Sequence, residues 1–284
     1  MPNSRPSIAD KRRTYRDMHR SGCFILPNPW DIGSARYLQG VGFKALASTS
    51  AGYAFAQGYA DAAVSRDMML AHLRELSAET DVPINADYEG GYADDPDEVA
   101  ENVRLCVDTG VAGLSIEDST NDEANPLYDF DLALARVKAA RAAIDRTDTK
   151  VVFTARTEGF IRNRPDLDET IRRLKAFADA GADCLYAPGI RSREHITAVV
   201  NAVAPKPVNV LMPGNLGFSV ADLAAMGARR ISLGGTLART AWTAVTRAAK
   251  EMLEQGTFTC FDGTMTNAEL NKFFREDMKK RGLS

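Results

Sequence analysis

The sequence predicts a (β/α)8 TIM-type barrel, an α/β fold, and three observations carry that expectation. A unit recurs in which a helical pattern ends at a glycine and a short apolar run follows. Eight strand-like runs can be placed along the chain, alternating with helical patterns. The 284-residue length, with 45% hydrophobic content, suffices to close them around one core. An open doubly wound sheet is the competing arrangement, and eight alternations at this length favour closure.

The glycine joints stand at Gly42 before Phe43 to Leu46, Gly110 before Val111 to Ile116, Gly181 before Ala182 to Tyr186, and Gly227 before Ala228 to Leu233. Glycine takes the left-handed conformation just past a helix without a Cβ penalty, and the apolar run after it suits a strand buried on both faces. With the intervening segments filled in, strands fall near 24–26, 45–48, 83–86, 114–116, 151–155, 184–186, 208–211 and 231–233. Between them, one helix opens at Asp95-Pro96 and runs through Val99, Val103 and Val107, with proline suited to the first turn. Another carries Ile171, Leu174 and Phe177, and the last runs through Trp242, Val245, Ala249 and Met252 to Gly256. A helix over about 7–20 leads into the barrel, and a helical extension over about 257–284 follows it. The extension carries Phe258, Phe261, Phe273 and Phe274, an apolar stripe that needs a partner on this barrel or on a neighbouring subunit. No linker rich in Pro, Gly or Ser interrupts the chain, so a single domain over 1–284 is the simplest organisation.

Net charge −3 with interspersed signs gives no footprint for nucleic acid or anionic lipid, which leaves a small metabolite as the expected partner. No apolar run reaches the roughly 20 residues of a membrane span. The basic N-terminal stretch also contains Asp10 and Asp17 and lacks an apolar segment, which reads as a surface helix rather than a transit peptide. Cys23, Cys106, Cys184 and Cys260 lie far apart, as expected of reduced, mostly buried thiols in a cytoplasmic protein. His19, His72 and His195 fall in helical patterns away from strand ends, so they read as surface or packing residues, and no triad-type nucleophile is visible.

A barrel places its active site at the C-terminal strand ends. There the third strand runs into Asp87-Tyr88-Glu89, the fourth into Glu117-Asp118 and the fifth into Arg156-Thr157-Glu158. An isolated acid is ordinarily a helix cap or a solvated loop residue. Three at adjacent strand ends repel one another unless a cation sits among them, so Asp87, Glu89 and Glu117 are candidate ligands of Mg²⁺, with Mn²⁺ as the alternative. Arg156 is costly to bury unpaired, and either bridges the acids or forks onto a substrate carboxylate. Thr49, Ser50, Ala51 and Gly52 form a small-residue turn whose amides and hydroxyls suit a carboxylate. Gly234-Gly235-Thr236, before the last barrel helix, fits an anion site or simply a close turn.

Five segments, Asn28 to Arg36, Thr49 to Gly52, Ala86 to Tyr92, Ser115 to Asp118 and Ala155 to Phe160, stand in the order and spacing of a known family. Together they resemble the isocitrate lyase and phosphoenolpyruvate mutase superfamily. The resemblance implies a barrel whose last helix is exchanged between subunits of a homodimer, usually within a homotetramer. It implies that Asp87 holds Mg²⁺ with support from Glu89 and Glu117, and that Ser50 and Ala51 offer amides to a substrate carboxylate. Arg156 would bind substrate and stabilise an enolate, which makes Arg156 and Glu117 the candidate catalytic residues; Asn209, in the seventh strand, joins the candidate substrate contacts. The superfamily's carbon–carbon lyases carry a Lys-Cys-Gly-His loop after strand four, and its phosphonomutases carry a lysine there. Here the loop from Ser119 to Asp129 has no Cys, Lys or His, and Tyr186-Ala187-Pro188 stands where the lyases have a glutamate. The expected function is a Mg²⁺-dependent lyase or decarboxylase acting on a small α-oxo or α-hydroxy carboxylate. Phosphorus–carbon chemistry on a phosphonopyruvate-like acid, or a non-catalytic oxo-acid-binding barrel, are the alternatives.

Overall fold

The structure, a computed structural model, is described for residues 5–120 and 122–283. Eight parallel strands form its centre: β1 (Phe24–Leu26), β2 (Leu46–Ala47), β3 (Ile84–Asp87), β4 (Gly113–Glu117), β5 (Val152–Arg156), β6 (Cys184–Tyr186), β7 (Val208–Leu211) and β8 (Arg230–Ser232). Hydrogen bonding runs in the order β1-β8-β7-β6-β5-β4-β3-β2. The remaining seam is bridged where the Ala47 N–H donates to the Pro27 carbonyl at 3.0 Å, which closes the sheet into the expected barrel. Every strand lies within two residues of its expected position. The structure extends β3, β4 and β5 through Asp87, Glu117 and Arg156, so the polar strand-end residues are fixed by the ladder itself.

In chain order the helices are α1 (Ile8–Met18), α2 (Ile32–Gly40), α3 (Ser50–Ala56), α4 (Arg66–Glu79), α5 (Pro96–Val107), α6 (Phe130–Arg146), α7 (Leu167–Asp179), α8 (Arg193–Val203), α9 (Val220–Ala225), α10 (Thr236–Glu254) and α11 (Asn267–Lys280). Helix α5 shows how sequence makes the layer. Asp95 caps it by accepting from the Asp97 and Glu98 amides, Pro96 opens it, and Val99, Val103, Cys106 and Val107 bury its inner stripe. Each such buried Val contributes about 1.5–3 kcal/mol relative to exposure. The core lies between barrel and helices, around Leu114, Ile116, Phe153, Leu174 and Phe177.

The N-terminal basic residues have structural work. Ser7 and Asp10 form a capping box at the start of α1. The Lys11 ammonium donates to the Ser77 and Thr80 carbonyls at the C-terminal end of α4, and Arg12 donates to the carbonyls of Val107 and Val111. Tyr15 of α1 plugs the barrel from below, and its ring lies 2.5 Å from where a Cβ on Gly113 would stand. Glycine is therefore required at that strand position.

At the other end of the chain, α11 packs on α2 of its own barrel. The Phe273 ring fills the space a Cβ on Gly40 would take, and Arg36 pairs with buried Asp277. Helix α10 instead leaves Trp242 and Val245 47% and 56% exposed. No helix among the described residues is long and apolar enough to cross a membrane. All four cysteines are free, with Cys106 and Cys184 buried. His19 and His72 are buried packing residues, the latter stacked on Tyr53, and His195 packs edge-on against Phe160.

Candidate active site

Three strand ends bring a guanidinium and four acids together. Arg156 and Glu117 are direct partners in the β4–β5 register, and β3 delivers Asp87 beside them. One Arg156 Nη1 lies 3.2 Å from both Asp87 Oδ1 and Glu117 Oε2, while its Nε donates to Glu158. Burial works against the charge of Arg156, but Glu117, Glu158 and Asp87 outweigh it and hold the guanidinium protonated. Glu158 is wholly buried; burial drives its carboxyl upward against the pull of Arg156, and its Oε2 has no hydrogen-bond partner. Glu89 sits at a positive φ of 47° and accepts from the Tyr92 hydroxyl at 3.2 Å. Burial, then the charges of Asp87 and Glu117, push its carboxyl up to about 8. Asp87, Glu89 and Glu117 therefore stand at one mouth of the barrel, and they repel.

A fifth acid of this mouth is not legible from any strand end. Asp61 lies between α3 and α4, not at a strand end, and its carboxyl is raised by burial and then by Asp87. Its only signal is the Gly58 to Ala62 turn, which resembles any surface loop.

The turn after β2 is arranged around Asp87. Thr49 caps α3, its hydroxyl accepting from the Gly52 amide at 3.2 Å, and both the amide and the hydroxyl of Ser50 donate to Asp87 Oδ2 at 3.0 Å. Ser50 thus orients the acid, and Ala51 lines the same cavity of about 190 Å³. Asn209 borders that cavity too, with its Oδ1 accepting from Arg230 and its Nδ2 donating to Ser232. Asn28, which the sequence marks only as part of a motif, ties three strand ends. Its Nδ2 donates to the Ser48 carbonyl, and its Oδ1 accepts from the amides of Leu233 and Gly234. The Gly234-Gly235-Thr236 segment is in this way held as a close turn by a protein side chain.

Beyond β4, the segment after Ser119 folds over the mouth as a compact hairpin. Ser119 pairs with Leu127, the Thr120 amide donates to the Pro126 carbonyl at 3.0 Å, and Asn125 donates to Asp122. Asn121 lies outside the described residues. The Ser119 hydroxyl donates to Glu117 and accepts from Arg162 at 3.1 Å, which links this loop to the acids. Nothing local in the sequence distinguishes Arg162 or Ser119, and Glu158 stands out there only as a strand-end partner of Arg156.

Among the described residues no three His, Cys, Asp or Glu side chains converge as a ready-made metal cage. The acid surplus around Arg156, with Glu89 and Asp61 driven upward by their neighbours, is nevertheless what a hard divalent cation relieves. Mg²⁺ keeps several waters and takes one or two carboxylates, so the donor chemistry of Asp87, Glu89 and Glu117 fits it.

The sequence matches the family described as phosphoenolpyruvate phosphomutase over residues 15–253. A crystal structure from Burkholderia cenocepacia J2315, provisionally described as a lyase/mutase, is 46% identical with a TM-score of 0.91, covering 94% of this chain and 97% of that one. An uncharacterized protein of Mycobacterium tuberculosis is 33% identical over 78% of this chain and 81% of its own length. An oxaloacetate decarboxylase of Paraburkholderia xenovorans is 29% identical over 87% of this chain and 89% of its own.

Proposed function

The chain belongs to the phosphoenolpyruvate phosphomutase family, and we propose that within it the protein is a Mg²⁺-dependent carbon–carbon lyase, most concretely a decarboxylase of a compact α-oxo dicarboxylate. One observation carries this reading: a buried arginine set among surplus acids at the barrel mouth, beneath a loop without Cys, Lys or His. The oxaloacetate decarboxylase relative supports the same chemistry.

In this reading Asp87 would hold the cation, directly or through water, with Glu89 and Glu117 supporting it. A Mg²⁺ held by these residues would supply Lewis-acid polarisation of an α-oxo acid and stabilise charge developing on an enolate. Arg156 forks onto the substrate carboxylate and meets the enolate charge, a role that a permanently protonated planar donor fills well. Ser50 keeps Asp87 in one orientation, and the Ala51 amide would be offered to the substrate carboxylate. The hairpin from Ser119 excludes water while the enolate exists. Because that hairpin supplies no cysteine acid, cleavage of isocitrate or methylisocitrate is not its work. The exposed face of α10, with Trp242 and Val245, is assigned to a second copy of the chain in a homodimer or homotetramer. The free thiols suit a cytoplasmic setting.

Steady-state assays of oxaloacetate, methylisocitrate and phosphonopyruvate side by side with Mg²⁺ test the reading. The expected result is pyruvate formation from oxaloacetate at least about tenfold faster than turnover of either alternative, a difference of roughly 1.4 kcal/mol in barrier. Comparable methylisocitrate cleavage would show that the missing cysteine is not decisive, and phosphate release from phosphonopyruvate would move the protein to phosphorus–carbon chemistry.

A further inference from the structure

Beneath the acids the barrel interior holds a second guanidinium, and its partners are all neutral. Arg230 is 2% exposed. Its Nε donates to Asn209 Oδ1 at 2.8 Å, Nη1 to the Tyr15 hydroxyl at 3.0 Å and Nη2 to Thr154 Oγ1 at 3.1 Å. Nη1 also faces His19 Nε2 at 3.4 Å, and His19 is kept neutral by burial and by Arg230 itself.

An arginine can only donate, and that fixes the direction of everything bonded above it. Asn209 must present its oxygen to Arg230, so its Nδ2 faces Ser232 and donates to Oγ at 2.9 Å. Ser232 Oγ is thereby an acceptor toward Asn209, and its own hydrogen is free to turn toward Tyr186, which borders the same cavity. A Ser232 hydrogen turned to the Tyr186 oxygen would make that oxygen an acceptor from below and leave the Tyr186 O–H to donate into the cavity. Tyr186 borders that cavity beside Arg156, whose Cζ stands 5.2 Å from its ring centre. Burial pushes the phenol up to about 12, against the pull of Arg156 and Ser232, so it carries its proton at neutral pH. The other acids bordering this cavity, Asp61 and Asp87, belong to the cation site.

We infer that Tyr186 is the proton donor to the enolate carbon, aimed by a one-way hydrogen-bond chain that runs from Arg230 through Asn209 and Ser232. The inference rests on the lyase reading and supplies the acid which that reading lacks. In the decarboxylation the bond between C3 and the departing carboxylate breaks and CO₂ leaves. Its electron pair stays on the C2–C3 enolate. The Tyr186 O–H bond then breaks, its proton forms the new C3–H bond, and the tyrosinate left beside Arg156 is reprotonated from solvent. Arg230, Asn209 and Ser232 touch no reacting atom; they are positioning residues.

Microscopic reversibility gives a test that needs no decarboxylation. With Mg²⁺ in D₂O, the wild-type protein is expected to exchange the methyl hydrogens of pyruvate, followed by NMR. Tyr186→Phe should slow that exchange at least about 100-fold, the scale of a positioned acid, while its calorimetric affinity for oxalate stays within about twofold. Ser232→Ala should slow exchange about tenfold through kcat with KM unchanged, because the proton is still present but poorly aimed. Exchange by Tyr186→Phe at the wild-type rate would overturn this proposal and leave the lyase reading standing. A wild-type protein inert toward both pyruvate exchange and oxaloacetate would overturn both.

Discussion

Glu117 and Asp118 are adjacent in sequence at the end of β4, yet they serve opposite kinds of cluster. Asp118 is 3% exposed, and its carboxylate is fully answered. It accepts from Arg173 at 3.0 Å, the Thr157 hydroxyl at 2.8 Å and the Glu158 amide at 2.9 Å. Glu117 shares Arg156 with Asp87, while Glu89, Asp61 and Glu158 crowd the same region. The difference is one of balance. A structural ion pair closes on itself, whereas the barrel mouth crowds acids whose charge only a retained proton or a bound cation can settle.

The largest effect should come from breaking the balanced cluster. Asp118→Ala takes the buried carboxylate from Arg173, Thr157 and the Glu158 amide and leaves Arg173 only the partly exposed Glu169 and the Tyr128 carbonyl, and the expected loss is about 3–5 kcal/mol of unfolding free energy, read by urea denaturation at unchanged m-value. A loss below about 1 kcal/mol would mean that the cluster is not closed in the sense argued here. Next comes the shared guanidinium. Arg156→Lys keeps the charge but loses the fork, so kcat/KM should fall at least about tenfold, roughly 1.4 kcal/mol, with the fold intact. Unchanged kinetics would reduce Arg156 to an ion-pair partner of its acids.

The smallest effect concerns pH. Unfolded, Glu89 titrates near its ordinary 4.5, and folded without metal it titrates near 8. Between those values the native state keeps a proton that the unfolded state has released, so stability of the metal-free protein is expected to fall as pH rises across that window. Thermal melts from pH 5 to 8 in chelator should show a Tm decline on the order of a few degrees, flattened in Glu89→Gln and by added Mg²⁺. A Tm that rises with pH in chelator would contradict the crowding of the mouth.

Much of this comparison could be read before the structure. The glycine joints at Gly110 and Gly181 and the apolar runs after them located β4 and β6, because a strand buried on both faces writes itself into sequence as an uninterrupted apolar segment. Asp87, Glu117 and Arg156 were visible because they follow such runs directly. Asp61 was not, since it reaches the site from a loop between helices and local sequence does not record where a loop returns. Nor was the contrast between Glu117 and Asp118 legible, as strand alternation sends them to opposite faces but the partner Arg173 lies in α7, far along the chain. Tyr186 was noted only for the glutamate it replaces, and its setting depends on Arg230 and Asn209 in other strands.

The most direct test of the outstanding-charge account is oxaloacetate turnover by wild type and Asp87→Ala, each with Mg²⁺ and with chelator. Wild type should be active only with the metal, and Asp87→Ala, folded and melting near the wild-type temperature, should be inactive under both conditions. Equal activity of the variant with and without Mg²⁺ would contradict the assignment of Asp87 and, with it, the reading of the barrel mouth as a cation site.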